Sequence, residues 1–298
     1  MKNVIVTGAN GFIGSCLISK LIDEGIKVIA IDISFTNSKL PESDYITKIE
    51  TNMTNIEELC EIIPEKSYDA FYHLAWAGVN GQDKADPLIQ LNNAKITINC
   101  AQIASRKKCK KLLCAGTIAE RNVESLPNLS SVGGGMMYGT AKYTTRLMLE
   151  TYCKNIGLDY VWMQFSNIYG PNNKTGNLVS YTIGELIKGN EATFGPALQP
   201  YDFIYIDDLI EAILRLGKSK TNKNIYFIGS GEPKILKEYL YEIGRIYGKE
   251  ELIKVGIRPD DGIVYTLDMF DVTSLKNDIG NYISKSFSEG IKYTLENY

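Results

Sequence analysis

The sequence predicts an α/β fold in which a doubly wound parallel sheet carries a smaller C-terminal lobe. In the first two thirds of the chain, short and nearly continuous apolar runs alternate with longer amphipathic runs. This pattern is typical of parallel sheets that helices cover on both faces. After residue 170 the alternation loosens into segments rich in turn residues, which indicates a separate lobe.

These runs place the elements in chain order. Strands are predicted at "NVIVTG", "KVIAID", "YDAFYHLA", "KKLLCAGT" and "DYVWMQFSNIYG". Helices, in which apolar residues recur every three or four positions, are predicted at "FIGSCLISKLIDEG", "NIEELCEII", "DPLIQLNNAKITINCAQIASRK" and "GTAKYTTRLMLETYCKNIG". The segment "DFIYIDDLIEAILRLG" is expected to return a strand and a helix to the first lobe, with Asp207 and Asp208 as helix caps. We therefore expect one domain at 1–170, which 199–228 rejoin, and a second lobe made mainly of 171–298.

The composition is that of an ordinary globular protein. A chain of 298 residues that is 44% hydrophobic can bury a large core. The net charge of -3 argues against a nucleic-acid partner, and the basic cluster "RKKCKK" is interpreted as a solvated helix end. The sequence shows no long apolar run and no N-terminal leader, so we expect a cytoplasmic protein without a membrane partner.

Cysteine and histidine usage limits the chemistry further. The six cysteines are scattered without the spacing of metal ligands, so free buried thiols are expected and no metal site is predicted. The single histidine, His73, ends an apolar strand and is interpreted as a packed residue rather than a base.

The stretch "VIVTGANGFIGSCL" places Gly8, Gly11 and Gly14 where the first strand passes into the first helix. Glycines at this spacing allow a tight turn, a close approach of a pyrophosphate to the backbone, and close packing of the helix on the sheet. The helix N-terminus then presents N–H groups to the phosphates. A tight turn without a ligand is the alternative explanation of the glycines alone.

The second strand ends in Asp32, about 20 residues beyond the glycines. A carboxylate at this position can accept hydrogen bonds from both ribose hydroxyls of NAD and repels the 2′-phosphate of NADP. A turn residue at a strand end is the structural alternative. Together, the glycines and Asp32 predict a Rossmann-type domain that binds NAD.

A second group of residues has the chemistry of a general acid or base. In "YGTAK", Tyr138 and Lys142 are four positions apart, which places the phenol and the ammonium on one face of a helix. The lysine cation is expected to lower the tyrosine pKa towards the range of an acid–base catalyst. Thr117, at the end of the preceding strand, is placed to share the same substrate oxygen.

Ordered motifs over the whole chain resemble the extended short-chain dehydrogenases/reductases, in particular the NAD-dependent nucleotide-sugar epimerase/dehydratase family. The resemblance rests on "TGANGFIG", "HLA", "NNAKITIN", "YGTAK", "NIYGP", "QPYDFIYIDDLIEAI" and "RPDD". It implies a catalytic trio of Thr117, Tyr138 and Lys142, NAD across the carboxyl edge of the sheet, and a nucleoside-diphosphate sugar under the smaller lobe. It also implies a homodimer formed through the helices that carry Asn93 and Tyr138.

The resemblance assigns further site residues by position. NAD is expected to contact Gly8, Asn10, Gly11, Phe12, Ile13, Gly14, Asp32, Asn52, Met53, Leu74, Ala75, Trp76, Asn93, Tyr138 and Lys142. The substrate is expected to contact Trp76, Thr117, Asn167, Asn177, Leu178, Tyr201 and Arg258, with Arg258 on the diphosphate. Two features have more than one interpretation. Trp76 either lines the sugar pocket or closes the edge of the sheet, and the run Gly133–Gly135 is either a mobile flap or a relaxed loop.

Two departures from the family pattern bear on the activity. The sugar 4,6-dehydratases carry an Asp–Glu pair directly after the catalytic threonine, where this chain has Ile118 and Ala119. An arginine that usually binds the diphosphate is replaced by Tyr201. The sequence favours a 4-epimerase that works through a 4-keto intermediate. The alternatives are a 4-keto-6-deoxy-sugar reductase that uses NAD(P)H, and a catalytically silent protein that senses the cofactor.

Overall fold

The computed structural model describes residues 1–125, 134–173, 176–260 and 262–298. Its strands are β1 (Asn3–Thr7), β2 (Lys27–Asp32), β3 (Ile46–Glu50), β4 (Ala70–His73), β5 (Leu112–Thr117), β6 (Tyr160–Phe165), β7 (Asn167–Tyr169), β8 (Ala192–Thr193), β9 (Pro200–Tyr201), β10 (Phe203–Tyr205), β11 (Ile225–Ile228), β12 (Lys234–Ile235) and β13 (Ile253–Lys254).

The helices alternate with these strands. They are α1 (Phe12–Asp23), α2 (Ile56–Ile62), α3 (Pro87–Arg106), α4 (Ala119–Ser125), α5 (Gly134–Ile156), α6 (Leu178–Lys188), α7 (Ile206–Lys218), α8 (Leu236–Tyr247), α9 (Thr273–Ile279) and α10 (Phe287–Glu296). Short 3₁₀ helices lie at Gln82–Ala85, Glu250–Leu252 and Leu267–Phe270. None of the helices in the described ranges combines the length and the apolar character needed to cross a lipid bilayer.

The main sheet has the order β11-β6-β5-β4-β1-β2-β3, and its described strands all run parallel. The chain fills one side of β1 with β2 and β3 and then crosses to the other side at β4, which confirms the doubly wound sheet. Val4 of β1 accordingly pairs with Val28 of β2 and with Ala70 of β4. In open α/β sheets the ligand crevice lies outside the carboxyl ends of the strands at this reversal.

The two faces of the sheet bury separate apolar cores. Val4 and Val6 belong to one core and Ile5 to the other, because successive side chains of a strand point to opposite faces. Leu17 of α1 packs into the first core and Ile103 of α3 into the second. Both faces are thus covered, as the nearly continuous apolar runs predicted.

The expected return of the chain to the first lobe differs in detail from the structure. The predicted strand at 159–170 divides into β6 and β7, and β7 pairs with β10 in a separate two-stranded sheet. The strand that rejoins the main sheet is β11, which pairs with β6. α7 packs against α1. The edge strand β3 was not predicted, because its side chains are mostly exposed and form no apolar run.

Side-chain caps mark the starts of several helices. Asp86 caps α3 by accepting from the N–H groups of Leu88 and Ile89, and Ser286 forms a capping box in α10. The capping role predicted for the two aspartates of α7 is wrong, because the N-cap is Tyr205. Asp208 is instead buried and accepts from the backbone N–H of Ser284 at 2.9 Å.

Helix α5 begins earlier than the sequence predicted. Its first residue is Gly134 rather than Gly139, so Tyr138 lies in its second turn. Gly135 belongs to the first turn, which excludes a loop at these two glycines. Gly133 lies outside the described residues.

Candidate active site

The turn between β1 and α1 is shaped to admit a phosphate group. Gly8 has a φ of +69°, and a Cβ at this position would lie 2.7 Å from the backbone nitrogen of Ala75. A Cβ at Gly14 would lie 2.0 Å from the carbonyl oxygen of Gly8, so α1 packs directly on the turn. Gly11 is the N-cap of α1 and has no side chain to occupy the first N–H groups. This cradle fits the pyrophosphate of NAD.

Asp32, at the end of β2, is tied to the same turn. Its Oδ2 accepts from the backbone N–H of Asn10 at 2.8 Å, and its Oδ1 accepts from that of Ile33 at 2.7 Å. The Asn10 side chain donates to the carbonyl oxygen of Ser34 and accepts from the N–H of Lys39, both at 3.1 Å. A carboxylate offers about four acceptor positions, so Asp32 keeps capacity for the ribose hydroxyls of NAD.

Phe12 and Ile13 begin α1, and the remaining predicted cofactor residues lie beside the ends of β3 and β4. Asn93 accepts from the N–H of Ala77 at 2.9 Å and donates to its carbonyl oxygen at 2.8 Å, so it fixes the segment that follows β4. Met53 has a φ of +56°, and its carbonyl oxygen accepts from Asn99 at 3.3 Å. Asn52 accepts from the backbone N–H two residues further on. Asn99 was not predicted as a site residue, although it lies in the quoted "NNAKITIN" motif.

The structure brings the predicted catalytic residues together. Thr117 ends β5, while Tyr138 and Lys142 lie one turn apart on α5. The Thr117 side chain lies close enough to Tyr138 to lower the pKa of its phenol. The Nζ of Lys142 lies 5.9 Å from the centroid of the Tyr138 ring and donates to the carbonyl oxygen of Ala115 at 2.5 Å. A phenol, a hydroxyl and a buried ammonium thus meet at the carboxyl end of the sheet.

The electrostatics of this trio differ from those expected from spacing alone. Burial lowers the pKa of Lys142 to about 7, and the carboxylate of Glu120 opposes this shift. Burial and the charge of Glu120 raise the pKa of Tyr138, whereas the Thr117 side chain lowers it. Desolvation therefore outweighs the decrease in the Tyr138 pKa that the charge of Lys142 alone would produce.

Two further side chains surround Tyr138. The Trp76 ring meets the Tyr138 ring edge-on with centroids 6.3 Å apart, and its Nε1 donates to Gln90 at 2.8 Å. The Nζ of Lys84 lies 5.2 Å from the centroid of the Tyr138 ring, and burial lowers the pKa of Lys84. Trp76 thus contacts Tyr138 of the predicted catalytic trio. Lys84 was not predicted, because its 3₁₀ helix reads as an ordinary polar turn.

His73 is a packed residue, in agreement with its interpretation from the sequence. Its Nδ1 lies 2.8 Å from the hydroxyl oxygen of Thr7, and its Nε2 lies 3.0 Å from that of Thr97. Burial and the charge of Lys142 lower the pKa of His73 to about 3. His73 is therefore neutral at ordinary pH and joins three elements of the sheet domain.

The predicted substrate residues Asn167 and Tyr201 contact each other. The Tyr201 hydroxyl donates to the side-chain oxygen of Asn167 at 3.0 Å, and the Asn167 amide donates to the carbonyl oxygen of Asp202 at 3.1 Å. Tyr201 is buried, whereas a phosphate-binding arginine at the same position would need access to solvent. Asn177 caps α6, which begins at Leu178, by accepting from the N–H of Ser180 at 2.9 Å.

Arg258 is exposed and is held in place by two hydroxyl groups. Its Nε donates to Thr193 at 2.8 Å and its Nη2 donates to Tyr181 at 2.6 Å. The guanidinium also lies 5.0 Å from the centroid of the Tyr181 ring. These contacts leave guanidinium N–H donors of Arg258 for an anion. Neither Tyr181 nor Thr193 carried a signal in the sequence.

Comparisons with known proteins agree with this geometry. A sequence model of the NAD dependent epimerase/dehydratase family matches residues 4–229. The chain is 26% identical to UDP-N-acetyl-alpha-D-glucosaminuronate decarboxylase of Bacillus cytotoxicus over 317 residues, which cover 99% of this chain and 97% of that protein. It is 24% identical to dTDP-4-dehydro-6-deoxyglucose reductase of Escherichia coli over 266 residues, which cover 85% of this chain and 84% of that protein.

The fold is also similar to that of a solved structure. The crystal structure of UDP-glucose 4-epimerase from Thermotoga maritima with UDP-glucose gives a TM-score of 0.83 at 24% identity and covers 99% of this chain and 97% of that chain. The relatives bear the names of different reactions, so these comparisons do not fix the reaction. Because the family match spans more than half of the chain and the glycine turn fits the cofactor, this chain belongs to the NAD dependent epimerase/dehydratase family, whose cofactor is NAD.

Proposed function

We propose that this protein is a 4-epimerase that acts on a nucleoside-diphosphate hexose through a 4-keto intermediate. The observation that carries the proposal is the convergence of three side chains: Thr117 at the end of β5 acts on the Tyr138 phenol, and the Lys142 Nζ lies 5.9 Å from the centroid of the same ring. A hydroxyl group of the substrate that reaches this point meets a phenol that can exchange a proton, a hydrogen-bonding hydroxyl and the lysine amine.

Each residue of the trio has a separate task. Tyr138 takes the proton of the C4 hydroxyl and later returns it. Thr117 orients that oxygen, and Lys142 stabilises negative charge on the phenol oxygen. Bound NAD supplies the acceptor and donor of a hydride. The Asn10–Asp32 pair and the glycine turn would hold the cofactor. The 4-keto sugar must rotate within the site before C4 is reduced again on its other face.

The structure gives no support to dehydration. The two positions after Thr117 are the buried Ile118 and the half-buried Ala119, neither of which can exchange a proton. The next residue, Glu120, is a carboxylate, but its oxygens accept from Thr117, Trp162, Gln164 and Arg146. A carboxylate with these partners is not free to act on the sugar.

The substrate is proposed to lie between the sheet domain and the smaller lobe. Arg258 would bind the diphosphate, since its guanidinium is exposed and fixed by Tyr181 and Thr193. Asn167 and the backbone at Asn177 and Leu178 would contact the sugar and the phosphates. Tyr201 would act through Asn167, because its hydroxyl bonds the Asn167 side chain.

A homodimer through α3 and α5 is part of the proposal. These two helices pack against each other, and they leave large apolar side chains exposed at Leu88, Leu91, Leu147 and Met148. Large apolar side chains that stay exposed on neighbouring helices are expected at a surface that a partner covers. Light scattering of the purified protein, compared with a Leu91→Lys variant, would test this assembly.

The reductase remains a second candidate for one specific reason. The Escherichia coli relative named dTDP-4-dehydro-6-deoxyglucose reductase aligns over 85% of this chain, and its name places its chemistry at C4, as the epimerase requires. A reductase would consume one reduced cofactor for each turnover, whereas an epimerase would recycle its cofactor.

The experiment that separates the two is chemical analysis of the purified protein. The protein is denatured, and the released small molecules are identified by mass spectrometry. The protein is then incubated with UDP- and dTDP-hexoses without added cofactor. Bound NAD and interconversion of the C4 epimers would support the epimerase. An empty protein that oxidises added NADH or NADPH only with a 4-keto sugar would establish the reductase.

A further inference from the structure

Glu120 is a carboxylate with an exposed fraction of 0%, three residues beyond Thr117 in the first turn of α4. A buried carboxylate is costly unless partners satisfy it. Its Oε1 accepts from the backbone N–H of Thr117 at 2.8 Å and from Nε1 of Trp162 at 2.9 Å. Its Oε2 accepts from Nε2 of Gln164 at 3.1 Å and from Nε of Arg146 at 3.2 Å. Glu120 thus ties the catalytic threonine to β6 and α5.

The end of β5 is built around this carboxylate. A Cβ at Gly116 would lie 2.7 Å from Oε1 of Glu120 and 2.2 Å from Nε1 of Trp162. The strand therefore has room for Glu120 and its tryptophan partner only because residue 116 has no side chain. The position of the Thr117 backbone depends on the same contact, since its N–H donates to Glu120.

Glu120 also acts electrically on the catalytic residues. Among the described residues, the titratable groups that act on Lys142 are Glu120 from α4 and the Cys114 thiol from β5, and Lys142 acts in turn on His73 from β4. Burial raises the pKa of Cys114 and lowers that of His73, so both are neutral at pH 7. Burial also raises the pKa of Glu120, whereas its hydrogen bonds from Trp162, Thr117 and Gln164 lower it, and its ion pair with Arg146 favours the carboxylate form. The carboxylate that acts on Lys142 is therefore Glu120, whose partner Trp162 has its ring centroid 5.8 Å from the Lys142 Nζ.

The charge of Glu120 is itself only partly balanced. Arg146 forms an ion pair with it, and the same guanidinium pairs with Glu124. Arg121 lies close enough to act on the same two carboxylates. A fixed anion near both members of the catalytic pair favours the ammonium form of Lys142 and disfavours the phenolate form of Tyr138. The charge of Glu120 therefore raises the pKa of both Lys142 and Tyr138.

We propose that Glu120 is a positioning residue of this site, which holds the backbone amide of Thr117 and places beside Lys142 a carboxylate that favours its ammonium form. The inference rests on the proposed roles of Thr117, Tyr138 and Lys142. Glu120 exchanges no proton with the substrate, because its oxygens are occupied by four donors beneath the site.

The test measures Lys142 directly and does not require the substrate to be known. The full chain is labelled with ¹³C at the lysine Cε atoms, and the Lys142 signal is identified by its absence in Lys142→Arg. We expect Glu120→Gln to lower the pKa of Lys142 by about one unit or more. The matched control is Glu124→Gln. Glu124 pairs with the same arginine, Arg146, so the variant removes an equal charge, but Glu124 has no hydrogen bond to Thr117. It should move the Lys142 pKa far less.

A Lys142 pKa that stays in place in a folded Glu120→Gln chain overturns the proposal. If that variant does not fold, Glu120→Asp replaces it, because the charge is kept while the reach to Thr117 is shortened. Its Lys142 pKa should stay near that of the parent, and a shift of a full unit contradicts the proposed role of the charge. This titration can be interpreted even if the protein converts no nucleoside-diphosphate sugar. In that case the proposed function fails, while the role of Glu120 remains supported.

With a substrate in hand, the pH profile gives an independent measurement. Glu120→Gln should move both limbs of the kcat/KM profile to lower pH, since both pKa values fall when the anion is removed. A residue that served only for folding would lower the rate or the stability and leave both limbs in place. That result would also overturn the proposal.

Discussion

The ammonium nitrogen of Lys142 lies 3.6 Å from the centroid of the Trp76 ring. This indole therefore carries a cation on its face and also meets the ring of Tyr138 at an interplanar angle of 89°. A cation over an aromatic face is stabilised by about 0.5–2 kcal/mol. Trp76 thus favours the ammonium form of Lys142 and also packs against Tyr138.

Replacing Trp76 tests this contact. Trp76→Ala removes the ring, and we expect kcat to fall by about 2- to 30-fold, which corresponds to the free energy of the cation–π contact. Trp76→Phe keeps an aromatic face and should recover most of the rate. Steady-state kinetics of the two variants give the comparison, and equal rates would show that Lys142 does not depend on the ring.

Removing the hydroxyl of Tyr138 should abolish most of the chemistry. We expect Tyr138→Phe to lower kcat by roughly 10²-fold or more, as for a lost general acid or base, with little change in NAD affinity. Tyr152→Phe, on the same helix but away from Thr117, is the matched control. Turnover close to that of the parent in the Tyr138 variant would exclude the proposed mechanism.

Asp32 should set the preference between the two nicotinamide cofactors. Its charge would face a 2′-phosphate, so we expect NAD(H) to bind more tightly than NADP(H) by about 1–3 kcal/mol. Asp32→Asn keeps the shape and should narrow that difference, whereas Asp23→Asn at the end of α1 should not. Calorimetric titrations with both cofactors measure the preference. Equal affinities in the parent would mean that Asp32 serves only the Asn10 turn.

Arg258 should act on substrate binding rather than on chemistry. A charge-assisted contact to phosphate is strong, so we expect Arg258→Ala to raise KM by roughly 10- to 100-fold with a smaller change in kcat. Arg245→Ala, another exposed arginine of the C-terminal part, is the control. Binding of several UDP- and dTDP-sugars is titrated for each variant. Unchanged affinity for all of them would argue against a diphosphate at this position.

The single histidine should make the fold sensitive to mild acid. His73 has a folded pKa of about 3 and an unfolded pKa near 6.5. Between these values the unfolded chain binds the extra proton, so stability falls as the pH falls through about 6.5 towards 3. We expect a loss of about 2 kcal/mol between pH 7 and pH 5 from this residue.

Urea unfolding at pH 5, 6 and 7 checks the contribution of His73. His73→Gln cannot titrate, so its loss of stability between pH 7 and pH 5 should be smaller than that of the parent by the same amount. Comparison of the two chains cancels the carboxylates that also titrate in this range. Parallel curves for parent and variant would show that His73 is accessible to protons in the folded protein.

Local patterns in the sequence predicted the sheet, the glycine turn, Asp32 and the spacing of Tyr138 and Lys142. They could not predict the network around Glu120, because Arg146 and Trp162 lie 26 and 42 residues further along the chain. An acidic residue in the first turn of a helix normally indicates a solvated N-terminus. Only the tertiary fold removes this one from water and thereby changes the electrostatics of the catalytic pair.

The pairing of β11 with β6 has a consequence for any attempt to divide the protein. β6 is buried along its whole length, and β11, drawn from residues 225–228, covers its outer edge. A fragment that stopped near residue 170 would keep the cofactor turn and the trio but would expose an apolar strand with unpaired N–H and C=O groups. Such an edge recruits strands from other chains, so the N-terminal part would aggregate if expressed alone.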